Sequence, residues 1–336
     1  MTEPISTSLS FHTLSAAQGS LLADGIRRVY GDTYPMTDLY DMDYVRRMIN
    51  GGLLHTVVAM NGDSEVVGQM STVLEEVGDV TADGSALMVD SAYRGLGITQ
   101  ALGEAMLGVY QDCSICGLHL YALAIHQRVQ KKSIGAGAAV TGILPAWFHA
   151  KSSIEGYRHP SGYRIGAVPL YMPLKSLPYR ESYIPPVYSE VLTSIYESLE
   201  IERKLIPAPD RLPDSAQTKV TVEDKPSNGH YRLRVDRIGG DFLERLSHVS
   251  DGVSGHREVI YIDLPLADHA ISYAVKEART RGFFFGSLMV DRCGSDRLRL
   301  QSYSKHCVMP DAMVIHGPQG ENLLELVLEE QRALCA

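Results

Sequence analysis

The sequence predicts an α+β protein with mixed sheets, built as two halves. Three observations lead there. Strand-like and helix-like segments interleave along the whole chain, and neighbouring strands read as hairpins rather than as strict crossover units. The length, 336 residues, suits two domains of about 150 residues each. Finally, the stretch 121–144 (YALAIHQRVQKKSIGAGAAVTGIL) is faintly echoed at 261–288 (YIDLPLADHAISYAVKEARTRGFFFGSL). Both run strand, short helix, glycine, strand, the mark of two copies of one fold.

The elements follow in order. Residues 8–13 alternate like a strand, and 15–30 read as a helix with Leu21, Leu22, Ile26 and Val29 near helical spacing. Residues 53–59 and 65–74 form a predicted hairpin around Asn61-Gly62-Asp63. A strand over 83–89 precedes a glycine-rich turn. A helix follows with Ile98, Leu102, Met106 and Val109 on one face. Residues 118–125 are an apolar strand, 128–134 a short helix stopped by Gly135 and Gly137, and 141–150 another strand. The span 174–186 (LKSLPYRESYIPP) reads as a linker. Residues 187–205 read as a helix and 206–216 as a proline-rich loop. Strands are then predicted near 218–223, 230–237, 258–263, 283–290 and 296–303, and helices near 241–250, 267–281 and 320–334. The expected organisation is a first domain over 1–174, a linker with a helix over 175–216, and a second domain over 217–336.

Composition excludes several classes. With 31 Lys and Arg against 40 Asp and Glu the net charge is −9, unsuited to nucleic acid. No apolar run reaches the ~18 residues of a membrane span, and the N-terminus lacks the basic start and apolar core of a signal peptide. Five cysteines suit reduced thiols, so a cytoplasmic location is expected. Cys113 and Cys116 make a lone CxxC without a second pair, read as small residues at a helix end; no metal is expected. Trp147 and the tyrosines are read as packing.

The informative segment is Tyr93-Arg94-Gly95-Leu96-Gly97-Ile98-Thr99, between a strand and a helix. Glycines let the backbone turn tightly, and the helix start adds unpaired N–H groups and positive potential, which together make a diphosphate cradle. It is neither a P-loop nor a Rossmann fingerprint. VDSAYRGLGITQAL resembles motif A of the GCN5-related N-acetyltransferases (GNATs), with Arg94, Gly97 and Thr99 at the positions of Gln/Arg-x-x-Gly-x-Gly/Ala. Thr99 departs from the final small residue. The resemblance covers roughly 8–150. IHQRVQ is similar to the His-Pro-x-Ser-Gln segment of bacterial GNAT-like proteins with a degenerate second half; His126 and Gln130 match, whereas Gln127 and Val129 do not.

The resemblance implies a GNAT fold, with two GNAT-like domains in tandem and only the first carrying the turn. Backbone at Met88 and Val89 would hold the pantetheine arm of an acyl donor, and Arg94, Gly95, Leu96, Gly97, Ile98 and Thr99 its diphosphate. Arg128 and Lys131, with Lys132, belong to a local excess of positive charge. Over 125–165, Arg128, Lys131, Lys132, Lys151, Arg158 and Arg164 face only Glu155, or 6 − 1 = +5. They suit either the 3′-phosphate of CoA or an acidic acyl-carrier protein bearing the same phosphopantetheine. Asp83 on the strand and His126 after the next strand are candidate bases for the attacking ammonium, and Tyr34 is a candidate to line the acceptor pocket. The tyrosine that many GNATs use as general acid is replaced by Lys131. The expected activity is transfer of an acyl group to an amine of a small molecule. The alternative is a non-catalytic acyl-CoA sensor.

Overall fold

The computed structural model describes residues 8–150, 152, 162–225, 229–252 and 259–334. The chain folds into two compact units. One comprises 1–118 with 152–159, the other 119–151 with 160–336.

The first unit holds β1 (Ser10–Thr13), α1 (Ser20–Tyr30), α2 (Met42–Asn50), β2 (Leu54–Met60), β3 (Val66–Val73), β4 (Thr81–Val89) and α3 (Ile98–Asp112). The strands form an antiparallel meander in the order β1-β2-β3-β4. Leu22 and Ile26 of α1 and Val45 of α2 pack with Leu54, Val58 and Met88 on one face. α3 lies against β1 to β4, burying Ile98, Leu102, Met106 and Tyr110 at every fourth position. The Tyr110 hydroxyl meets Thr72 at 2.9 Å. Gly68 of β3 permits the close approach of α3, since a Cβ there would lie 2.8 Å from Ile98 Cγ2. α2 was not anticipated from the sequence; Asp41 caps it by accepting from the N–H groups of Asp43 and Tyr44.

β5 (Gly117–Leu123) crosses into the second unit, which continues with α4 (Arg128–Gly135), β6 (Ala139–Val140), β7 (Leu144–Phe148) and β8 (Ile165–Pro173). β8 lies between β5 and β6 and also pairs β7. Next come β9 (Arg180–Ile184), α5 (Ser189–Leu199) and β10 (Arg203–Pro207), with β9 and β10 parallel. The chain ends with β11 (Lys219–Lys225), β12 (His230–Arg237), α6 (Phe242–Gly252), β13 (Val259–Pro265), α7 (Ile271–Thr280), β14 (Phe284–Arg292), β15 (Ser295–Tyr303) and α8 (Pro318–Leu334). The last sheet runs β11-β12-β13-β15-β14, with β12 and β13 parallel.

Three expectations change. The strand expected at 141–150 shrinks to β7, with the short β6 just before it, because between them Ile143 N–H bonds the Gly286 carbonyl and the Thr141 carbonyl accepts from Leu288 N–H. The linker span carries β9, α5 and β10. The helix expected over 187–205 stops at Leu199, where Glu200 takes a left-handed conformation. Cross-links such as Ala124 to Val314 and Ile143 to Gly286 bind β5 to β8 into the C-terminal unit.

The repeat is visible in the topology. β5-α4-β6/β7-β8 and β13-α7-β14-β15 both insert their last strand between the first and the third. The helix ends share the same closing hydrogen bond. Gly137 and Gly282 are both left-handed, and Ala138 N–H bonds Ser133 as Phe283 N–H bonds Ala278, an offset of 145 residues. At the same offset, Gly142 and Ser287 pair with each other in an antiparallel bridge. Pairing between equivalent residues is what a local two-fold axis produces.

Candidate functional site

The turn after β4 is clamped by its own unit. Asp90 N–H bonds the Val67 carbonyl, and its carboxylate accepts from Ala92 N–H at 2.9 Å and Arg28 Nε at 2.6 Å. Arg28 also reaches Glu65 at 3.0 Å. Asn61 in the β2–β3 hairpin donates to Glu65 and to the Tyr93 hydroxyl. Burial alone would raise the Asp90 carboxyl, but the Ala92 bond and Arg28 hold it below its usual range. Arg94 folds back, its Nε donating to the Val89 carbonyl at 3.3 Å.

Beyond Arg94 the backbone takes positive φ at Gly95 (85°) and at Gly97 (76°). Gly97 is the left-handed N-cap of α3. Among the described residues no backbone carbonyl accepts from the N–H groups of Gly95, Leu96, Gly97, Ile98 or Thr99. All but Ile98 are exposed, and a Cβ at either glycine would meet nothing within 4 Å. The first turn of this 15-residue helix carries no acidic residue. The result is a group of open amides at a positive helix end, suited to an oxyanion-rich group such as a diphosphate.

Upstream, β4 carries a bulge. Its pairs with β3 run Gln69↔Met88 and then Ser71↔Ser85, so Ala86 and Leu87 both oppose Met70. Ala86 has φ 46°, an uncommon conformation for a residue with a side chain. Its N–H donates to the Tyr34 hydroxyl at 3.2 Å. Tyr34 also stacks at a tilt on Tyr30, 5.1 Å between centroids. Burial pushes its hydroxyl up to about 12, against the opposing pull of hydrogen bonds from Ser85 and Ala86. Asp83 pairs Val73, is half-buried, and shares the alternation of Ser85, two residues on. Met88 is buried and Val89 half-buried where β4 meets the turn. The first unit thus brings Tyr34, Asp83, Met88, Val89 and 94–99 to one strand and its outlet.

His126, Arg128 and Lys131 belong to the second unit. His126 is half-buried and follows β5. Arg128 and Lys131 stand exposed on α4, with no ion pair among the described residues. Of the positive group, Lys151 and Arg158, with Glu155, lie outside the described residues. Arg164 leaves the group: it is buried, and its Nε donates to the Ala146 carbonyl at 2.8 Å. Gln130, which matched the family segment without an assigned role, is fully buried. It donates to the His126 and Val314 carbonyls and accepts from His316 N–H. It holds the backbone of His126 in place, and its only sequence signal was that match. Cys113 and Cys116 are free thiols. Cys113 touches His55 at 3.5 Å, and burial pushes its thiol up.

A counterpart of the turn exists in the second copy, where none was expected: Ile238–Asp241 between β12 and α6. There the amides are taken. Gly240 and Asp241 N–H bond the carbonyls of Ser215 and Ala216, Gly239 N–H bonds Thr218 Oγ1, and Ile238 N–H bonds Asp268. The Asp241 carboxylate in turn accepts from Thr218 N–H at 2.6 Å. A Cβ at Gly239 would lie 2.2 Å from Gln217. Beside it, Arg297 donates to the Val235 carbonyl at 2.7 Å, just where the β12–β13 ladder has ended at Arg234↔Asp263.

No family model matches the chain, and no curated protein does. Solved structures it is similar to include acetyltransferases. The ribosomal-protein-S18-alanine N-acetyltransferase of Escherichia coli is 13% identical, with 51% of this chain and 97% of that one covered at a TM-score of 0.39. A GNAT-family acetyltransferase of Staphylococcus aureus Mu50 is 14% identical, with 50% and 100% covered at 0.36. The ribosomal-protein-S5-alanine acetyltransferase of Vibrio fischeri is 10% identical, with 49% and 92% covered at 0.37.

Proposed function

We propose that the chain is an N-acyltransferase that moves an acyl group from a pantetheine thioester to the amine of a small molecule. The observation that carries this reading is the set of open amides at Gly95–Thr99, on a glycine turn between a bulged strand and a helix start. In this reading Met88 and Val89 offer backbone to the pantetheine arm, while Arg94 and the amides from Gly95 to Thr99 hold the diphosphate. Arg128 and Lys131 take the 3′-phosphate of CoA or dock an acyl-carrier protein. Asp83 or His126 accepts the ammonium proton, and Tyr34 lines the acceptor pocket. Catalysis then comes from proximity, proton removal and carbonyl polarisation.

Isothermal titration with CoA, acetyl-CoA and a phosphopantetheinylated carrier protein tests the reading. Heat with at least one is expected; none with any would remove it. Comparing the titrations separates the donors, and reversing Lys131 to Glu should weaken whichever one binds, most steeply at low salt. A second reading, an acyl-CoA sensor, draws on the exposed Lys131 where a general-acid tyrosine would stand. Donor binding without acyl transfer to a broad amine panel would favour it.

A further inference from the structure

We infer that Tyr34 is a catalytic residue of the proposed acyl transfer, its hydroxyl and the Ala86 N–H forming the pair of donors that takes the developing charge on the thioester oxygen. The inference rests on the donor reading above. The Ala86 amide sits on the β4 bulge, and its acceptor is Tyr34 Oη at 3.2 Å. An oxygen within about 3 Å of both atoms replaces that direct bond and receives both hydrogens. The bulge lies four residues before Asp90, where the turn opens. At about 3.3 Å per residue that is roughly 13 Å of strand, a distance an extended pantetheine arm spans. A diphosphate held at the turn after β4 thus leaves Ala86 within reach of the arm.

The local structure is built to hold this donor. The left-handed φ of Ala86 strains the backbone, and such strain clusters where a group must be aimed. The Tyr34 N–H donates to the Tyr40 hydroxyl at 3.3 Å, which itself donates to the Gly31 carbonyl at 2.6 Å. The Tyr30 ring backs the phenol. Burial keeps the hydroxyl protonated well above neutral pH, as a hydrogen-bond donor must be.

The step balances as an acyl substitution. The amine lone pair forms the C–N bond as the carbonyl π pair moves onto oxygen, where Tyr34 O–H and Ala86 N–H stabilise it. Collapse restores the carbonyl and breaks the C–S bond, and the sulfur leaves as thiolate. The ammonium proton goes to the base, and a proton from solvent neutralises the thiolate. Tyr34 keeps its own proton throughout.

The test measures Tyr34→Phe for thiol release with an amine panel and for CoA binding by calorimetry. Removing one such donor should lower kcat about 100-fold, with CoA affinity and amine KM within about threefold of the parent. A kcat within threefold of the parent overturns the inference, as does a loss of kcat matched by loss of CoA binding. A parent protein that binds CoA but transfers no acyl group overturns the inference and leaves the cradle standing. One that binds no pantetheine donor overturns both. Should the Phe variant not fold, fluorotyrosine placed at position 34 keeps the shape and makes the hydroxyl more acidic. An alkaline limb of kcat should then appear at lower pH than in the parent, and an unmoved profile overturns the inference.

Discussion

The turn after β4 and the turn after β12 occupy the same place in two copies of one arrangement, yet their amides have opposite fates. In the first, Gly95 and Gly97 carry the chain over open space, and among the described residues the N–H groups from 95 to 99 find no backbone acceptor. In the second, the carbonyls of Ser215 and Ala216 take the amides of Gly240 and Asp241, and a carboxylate sits at the helix start where an anionic ligand would otherwise be. The ladder end beside it is also occupied, by Arg297 on the Val235 carbonyl. A helix N-terminus demands partners either way. The second copy satisfies it internally; the first leaves it open.

Substitutions in the two halves should have unequal effects. The largest effect is expected at the ion pair inside the second half. Arg299 grips Asp263 through two bonds of 2.6 and 2.7 Å, both side chains fully buried. Asp263→Asn leaves a buried cation without its counter-charge and should cost about 3–5 kcal/mol in urea unfolding. Burial alone would raise the Asp263 carboxyl, but Arg299, with Arg232 and Arg297, holds it well below its ordinary value. A carboxyl lowered on folding stabilises above its unfolded pKa of about 3.9. Its contribution should therefore be intact at neutral pH and drain only as pH falls below about 4.

Next is Gly97→Trp. The side chain has room but fills the cradle, so donor affinity should fall at least about 100-fold, or about 2.7 kcal/mol. The positive φ adds strain of about 1–2 kcal/mol. Calorimetry with CoA, beside a melting curve, separates the two. Gly68→Ala should cost about 1–3 kcal/mol by over-packing against Ile98. It should also weaken donor binding several-fold, because it pushes the first turn of α3. Smallest is Asp241→Ala, which removes a cap and a loop anchor at about 1 kcal/mol and should leave donor affinity unchanged. A weakened donor there would mean that the second turn does more than close itself.

The sequence carried most of the first unit. Alternation and the Asn61-Gly62-Asp63 turn located the β2–β3 hairpin, and the glycines at 95 and 97 located the open turn before α3, because only glycine sits easily at those φ values. Other features were invisible for physical reasons. The bulge at Ala86 is a register shift against β3, which no local pattern encodes. α2 depends on a single Asp cap and a short amphipathic stretch. The plug on the second turn comes from residues 215–218, more than twenty positions from Gly239, and such closure is set by tertiary contact alone. Arg164 looked like part of a surface charge group, yet its guanidinium serves the Ala146 carbonyl inside the unit. Gln130 showed only as one letter of a matched segment, although its side chain joins backbone groups of Leu123, His126, Val314 and His316.

The bridge between Gly142 and Ser287 has a further bearing. Two identical subunits meeting across such an axis must change together, since every substitution is written into both. Tethering the partners in a single polypeptide frees each to drift alone. One can then surrender its ligand and harden into a support while the other stays open, an asymmetry closed to any true homodimer.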